Sequence, residues 1–525
     1  MAPTETIQFP EWTELKKKNG LDPLGMQNSS VMLYQSLIPG ISNVTLRVRY
    51  YGFYAWLSKH YALQIRDTDP KSWQRFLRRA EALLALVSQH NGGETGIAGT
   101  EWASRALKEI QGNLIDFTLA TEPGSEVHYL RQAWGAYGAA YGGQLFNIGV
   151  LRKAAGHEIA IPSEAWGEPL AEAYSTELGV QGERFLEAIK KGSVTLDELS
   201  DFSIMLPSQI DEGSVEHQLY EALLFAKGMD EKEHVDRALT LRLVLAVTDL
   251  LRRVPTQDEL RWVLYANQSQ DGSHLTLSVA ELESHRSHWW NYHANDLCHY
   301  AYESLLKFSL DILERHPSGI PMGALIAEVV TAILSGSPTK PTTWAEFIQT
   351  TQTVNNAYAA EYTSSEWSLT KTLRQSTNLA HITPPASAWA AIRLLATLQK
   401  RASAVGADLE LDLQGSSNQA FQSLFTEIEF LQSHVDEPIE VLLAKLIEER
   451  ILRRHLWVAL RKFRHQRDYT FLVETDDGKV KLRQKDGPTF TTPRLAPAIT
   501  FLKDIHLIGE AGISKRGKEL LNVAL

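Results

Sequence analysis

Residues 451–485 read ILRRHLWVALRKFRHQRDYTFLVETDDGKVKLRQK, and the pattern changes character halfway along. As far as Gln466 it is helical. Arg453, Arg454, Arg461, Lys462, Arg464 and Arg467 interleave with Leu456, Trp457, Leu460 and Phe463, and the spacing predicts one long helix from about Glu437 to Gln466. Beyond it, Tyr469 to Val473 is rich in β-branched and aromatic residues, and Lys479 to Arg483 alternates. Thr475-Asp476-Asp477-Gly478 lies between them, and its Asp-Gly pair suits a tight hairpin turn. The chain therefore turns from α to β here, and nowhere else is a strand signal as clear.

Downstream, a helix is predicted near Thr492, carrying Leu495, Ile499, Leu502 and Ile505. Then come Leu507-Ile-Gly-Glu-Ala-Gly512 and Ile513-Ser-Lys-Arg-Gly-Lys-Glu-Leu-Leu521. This ending resembles that of many winged-helix domains, in which a recognition helix leads to a short apolar strand and a Ser- or Thr-capped last helix bears a glycine. The resemblance covers only the end of the chain. It departs from the pattern in one respect: the hairpin precedes the recognition-helix position instead of following it. Winged-helix modules contact DNA or protein, so the resemblance implies one of these two partners.

Upstream, helical periodicity dominates. Phe76, Leu77, Ala80, Leu83, Leu84 and Val87 share one helix face, as do Leu239, Leu243, Ala246, Val247, Leu250 and Leu251. Thr195-Leu-Asp-Glu198 fits a capping box. Pro39-Gly40, Pro317-Ser-Gly319 and Thr383-Pro-Pro385 punctuate helices. Turn residues cluster around 155–169, 338–343 and 415–418, giving expected regions 1–155, 156–340 and 341–436, all helical, and a basic winged-helix-like domain, 437–525. The expected fold class is mainly α: a large multi-helix body with a small C-terminal α+β, winged-helix-like domain.

Composition agrees with a folded body. The 525 residues are 44% hydrophobic and 22% charged, with formal net charge −11. These values exclude a disordered chain, a collagen-like fibre and a membrane-embedded bundle, and a chain this long buries a core without metal or disulfide staples. The single cysteine, Cys298, allows no intrachain disulfide, and Met1 to Pro10 has no signal-peptide pattern. Both point to a cytoplasmic protein. The longest apolar stretch, 319–334, contains Glu328 and is too short to span a bilayer, so it reads as a core helix.

Charge is unevenly distributed. Residues 451–525 hold 15 Lys+Arg against 8 Asp+Glu, a balance of +7, whereas residues 1–450 carry −18. A basic tail on an acidic body suits an anionic partner. If that partner is DNA, Arg461, Lys462, Arg464, Lys479, Lys481 and Lys515 are the expected phosphate contacts. A solvated basic face, or one docked on the protein's own acidic body, is the plain alternative.

Two further clusters attract notice. Arg47, Arg49, Tyr50, Tyr51, Phe53, Tyr54 and Trp56 fit a core helix whose arginines pair with carboxylates, or else a surface that stacks bases. Val44 to Tyr51 also alternates like a strand, but Ser42 or Asn43 could cap a helix, and helix is expected. His285, His288, His293 and His299 lie close together, and Asp296, His299 and Glu303 share one helix face with ligand types acceptable to a divalent ion. The intervening tryptophans and tyrosines fit a helix-packing seam instead, and no metal or other cofactor is expected. There is no phosphate-binding Gly-x-x-x-x-Gly-Lys-Ser/Thr loop, no Gly-x-Ser-x-Gly elbow and no Cys-x-x-Cys pair.

The helical body with this tail is similar in general look to the long helical accessory proteins of bacterial antiphage-defence operons. That resemblance implies a non-enzymatic, DNA-contacting scaffold or accessory subunit of a multi-protein complex, acting beside a separate ATPase or nuclease. Two other functions stand beside it: a metal-dependent hydrolase centred on Asp296, His299 and Glu303, and a purely protein-binding subunit.

Overall fold

A computed structural model describes residues 22–156, 159–277, 279–339, 341–405, 409–414 and 421–522. The N-terminal stretch read for a targeting signal and the boundary at 415–418 lie outside the described residues. The chain is mainly helical, 61% helix and 6% strand. Every sheet among the described residues is antiparallel and has two or three short strands.

The helix Ala280–Leu313 is the axis of the fold. At 34 residues it is about 50 Å long, and from Trp289 onward every residue is buried. The helices Gln27–Leu37, Lys232–Leu251, Gln257–Ala266, Met322–Ser335 and Pro385–Val405 pack around it. A helix enclosed on all sides needs a partner for each polar group it carries. Asn295 donates to Ser29 Oγ and Ser30 Oγ at 2.9 and 2.8 Å and accepts from Leu424 N at 2.7 Å. Lys307 binds Asp311, one turn away, at 2.6 Å.

The aromatic stretch near the N-terminus belongs to the core. The helix Arg49–His60 buries Tyr50, Tyr51, Phe53, Tyr54 and Trp56. Arg49 pairs with Glu216 at 2.9 Å and caps the carbonyls of Ile204 and Leu206, while Arg47 bridges Asp504 and Glu94 at 3.0 and 2.9 Å. These arginines are thus paired to carboxylates inside the protein, and no base-stacking surface exists at this stretch. The helix begins at Arg49, later than a cap at Ser42 or Asn43 would place it. Ser42 and Thr45 close a local turn on each other, and Asn43 reaches across to Thr492 O and Arg494 N at 2.7 and 3.0 Å.

The predicted Thr195 capping box forms: Thr195 Oγ1 accepts from Glu198 N at 3.3 Å, and Glu198 accepts from Thr195 N at 2.8 Å. Strands are not confined to the tail. Leu114–Asp116 pairs with Ser193–Thr195, and Leu151–Lys153 pairs with Ala160–Pro162. Each is three residues long, too short for an alternation pattern to register. The apolar stretch 319–334 splits into a strand, Ile320–Pro321, and a helix, Met322–Ser335, that buries one face. No helix among the described residues is long and apolar enough to cross a membrane.

In the tail, the long helix is three joined pieces. Ile439–Lys445 passes through a π-helical turn, Leu446–Leu452, into Arg453–Gln466. The hairpin pairs Val473–Asp476 with Lys479–Leu482 around Asp477 and Gly478, whose φ angles of 48° and 72° are the left-handed pair that a two-residue return requires. Its first strand starts at Val473, so Tyr469 and Phe471 precede the ladder. Ile320–Pro321 adds a third strand alongside Lys479–Leu482. The remaining elements are the helix Leu495–Asp504, the two-residue strands Ile508–Gly509 and Gly512–Ile513, and the helix Lys515–Asn522. Both of these helices pack on Lys232–Leu251.

Candidate nucleic-acid interface and the buried cluster behind it

Between Arg453 and Arg467 there are six Lys+Arg and no acidic residue. The helix Arg453–Gln466 is anchored by its inner face, where His455, Val458 and Ala459 are buried. His455 Nδ1 lies 3.1 Å from Pro23 O, and its Nε2 accepts from Leu472 N at 2.9 Å, tying the helix to the chain entry and to the hairpin base. Burial lowers the His455 pKa to about 4 and keeps the ring neutral.

The outer face breaks the usual rule for a surface helix. Trp457, Leu460 and Phe463 are 40%, 39% and 46% exposed, and Tyr469, just past the helix, is 41% exposed. Cations flank these rings. Arg454 lies 4.7 Å and Arg461 5.5 Å from the Trp457 ring, and Arg483 lies 4.3 Å from the Tyr469 ring. Phe463 meets Tyr469 edge-on at 5.9 Å, and Tyr469 meets Phe471 at 5.0 Å. Beside this row runs a groove of about 550 Å³, lined by Asp22, Arg454, Trp457, Arg461, Lys462 and His465.

The six expected phosphate contacts do not form one patch. Arg461 and Arg464 are exposed on the outer face and form no ion pair with a described residue. Lys462 is turned inward, donating to Asp22 O at 2.9 Å. Lys479 is exposed beside the hairpin turn, and Lys481 there is paired with Asp476 at 2.6 Å. Lys515 begins a different helix, where Arg516 and Lys518 pair with Glu221 and Asp249. Trp457 and Tyr469 were visible in the sequence, but only their exposure separates them from core aromatics.

Behind the groove lies the His/carboxylate cluster. The four histidines go to separate partners. His285 meets Thr240 Oγ1 at 2.8 Å, and burial takes its pKa down to about 3. His288 meets Asp412 at 2.7 Å, a contact that raises its pKa. His293 is enclosed by Trp262 and Tyr265. His299 is fully buried with Glu303 Oε1 2.9 Å from Nε2 and Asp296 Oδ1 3.5 Å from Nδ1. Burial disfavours its charge, but the two carboxylates outweigh burial and raise its pKa well above the ordinary histidine value.

Asp296 is committed elsewhere. It accepts from Thr491 Oγ1 at 2.9 Å and from Thr491 N, and it faces Arg261 at 3.5 Å. The donor atoms that gather with His299 and Glu303 are those of Asp22, all within 4.8 Å of one another. No local feature of the sequence links Asp22 to a helix that begins more than 250 residues later.

Comparison with protein families, with curated proteins and with solved structures gives no match.

Proposed function

We propose that this protein is a non-enzymatic subunit that contacts DNA through the outer face of Arg453–Gln466 and the adjoining hairpin. The observation that carries the proposal is Trp457, exposed and flanked by Arg454 and Arg461. An exposed ring between guanidinium groups, continued by Phe463 and Tyr469, suits stacking on unpaired bases while cations hold phosphates. The contact is therefore with single-stranded or locally opened DNA, and Arg461 and Arg464 take the phosphates. Lys479 extends the surface, and Lys515 belongs to the winged-helix-like ending, whose helix–strand–strand–helix order over 495–522 supports a second, weaker contact. As a cytoplasmic accessory subunit, such a protein works beside a separate ATPase or nuclease, in the manner of antiphage-defence complexes.

The test is fluorescence anisotropy of a labelled single-stranded oligonucleotide and its duplex, titrated with full-length protein across a salt series. Single strand should bind more tightly than duplex. Arg461→Ala and Arg464→Ala should each reduce the salt slope by roughly 0.7, and Trp457→Ala should weaken binding by ~1–3 kcal/mol with the slope unchanged. Equal slopes in wild type and both arginine variants would refute the assignment. Absence of binding at low salt would transfer the same surface to an acidic protein partner.

A further inference from the structure

We infer that Asp22, His299 and Glu303 bind a divalent transition-metal ion, of the manganese, iron or zinc class, which ties the chain entry to the central helix. The site stands independently of DNA contact. Three observations converge on it.

The first is the donor set. One imidazole and two carboxylates offer atoms within 4.8 Å of one another. Around an ion with bonds of about 2.1 Å, neighbouring donors lie about 3.0–3.4 Å apart and opposite ones about 4.2 Å apart. The 2.9 Å between His299 Nε2 and Glu303 Oε1 is close to the shorter of these spacings. An imidazole among oxygens favours Mn²⁺, Fe²⁺ or Zn²⁺ over Mg²⁺ or Ca²⁺.

The second is the state of His299. It is wholly buried, and neither ring nitrogen forms a well-aligned hydrogen bond, although Glu303 Oε1 stands 2.9 Å from Nε2 and Asp296 Oδ1 3.5 Å from Nδ1. An ion pair would align an N–H with an oxygen. Donor atoms that crowd together without aligning on each other are the arrangement of ligands around a shared ion.

The third is that every ligand is held. His299 and Glu303 are one turn apart on the most buried helix. Glu303 also accepts from Thr489 N at 3.1 Å and from Gln27 Nε2 at 3.4 Å. Asp22 is fixed by Gln27 N on its Oδ1 at 3.2 Å and by Lys462 on its carbonyl at 2.9 Å. Such second contacts orient metal ligands. Asp22 also lines the groove beside Trp457, so one of the three ligands stands on the solvent side of the site.

The test is titration of the full chain, freed of metal by chelator and dialysis, with MnCl₂ followed by electron paramagnetic resonance and with ZnCl₂ followed by calorimetry. One ion per chain is expected. Asp22→Asn, at a partly exposed position that leaves the core intact, should weaken binding at least tenfold, and His299→Gln should abolish it. His465→Gln, on the rim of the same groove but outside the donor set, should leave affinity within twofold and so separates surface histidine binding from this site. No bound ion in wild type, or equal affinity in wild type and Asp22→Asn, would overturn the assignment.

Discussion

Acid should loosen the tail of this protein at His455. The ring is neutral and buried, with Nδ1–H directed at Pro23 O and Nε2 accepting from Leu472 N, and its pKa in the folded state is about 4. In an unfolded segment a histidine titrates near ~6.5. A folded-state pKa below the unfolded one means the open form takes up the proton first. The contribution is therefore complete above about pH 6.5 and declines as the pH falls towards about 4. At pH 5, proton linkage gives a loss of about 2 kcal/mol, or about 30-fold in the local opening equilibrium. Hydrogen exchange of the Leu472 amide reads this directly, once the intrinsic pH dependence of exchange is removed. Protection should fall about 20-fold between pH 7 and pH 5 in wild type. In His455→Gln, which keeps a donor and an acceptor but cannot titrate, most of that fall should vanish. An equal fall in both proteins, or less than about threefold in wild type, would refute the reasoning.

Two further predictions concern the core. Arg49→Met leaves Glu216 buried without its cation, and melting curves should show a loss of about 3–5 kcal/mol, much of it recovered in Arg49→Met/Glu216→Leu. Gly135, at φ +60°, packs where a Cβ would strike Tyr129 Oη and Glu81 Oε2, so Gly135→Ala should lower stability by at least about 1–3 kcal/mol, read by chemical denaturation against wild type.

Local chemistry explains what the sequence made legible. The Thr195 box, the Asp477-Gly478 return and the final helix are each decided within a few residues, and all three are present. The pairing of Arg47 and Arg49 with carboxylates was expected as a type of contact. Its partners, Asp504, Glu94 and Glu216, were out of reach because they lie on distant segments. The same limit applies to the site. Asp296, His299 and Glu303 share a helix stripe in the sequence, but Arg261 and Thr491 claim Asp296 and Asp22 takes its place. The π-helical turn at 446–452 shifts the register of the helix that follows it, and periodicity alone does not reveal such a shift. Basic residues likewise mark a charged segment without showing that Lys462 turns inward while Arg461 does not.

The bond from His455 to Pro23 O joins groups 432 residues apart in the chain. Arg47 waits similarly for Asp504, 457 residues later. On a ribosome adding about 10 residues per second, the beginning of this protein spends roughly 40 s without its native neighbours. During that interval the helix Arg49–His60, with five large aromatic residues meant for the interior, has an incomplete home. Production in cells should therefore depend on chaperone capacity and on translation speed more than the stability of the finished protein would suggest.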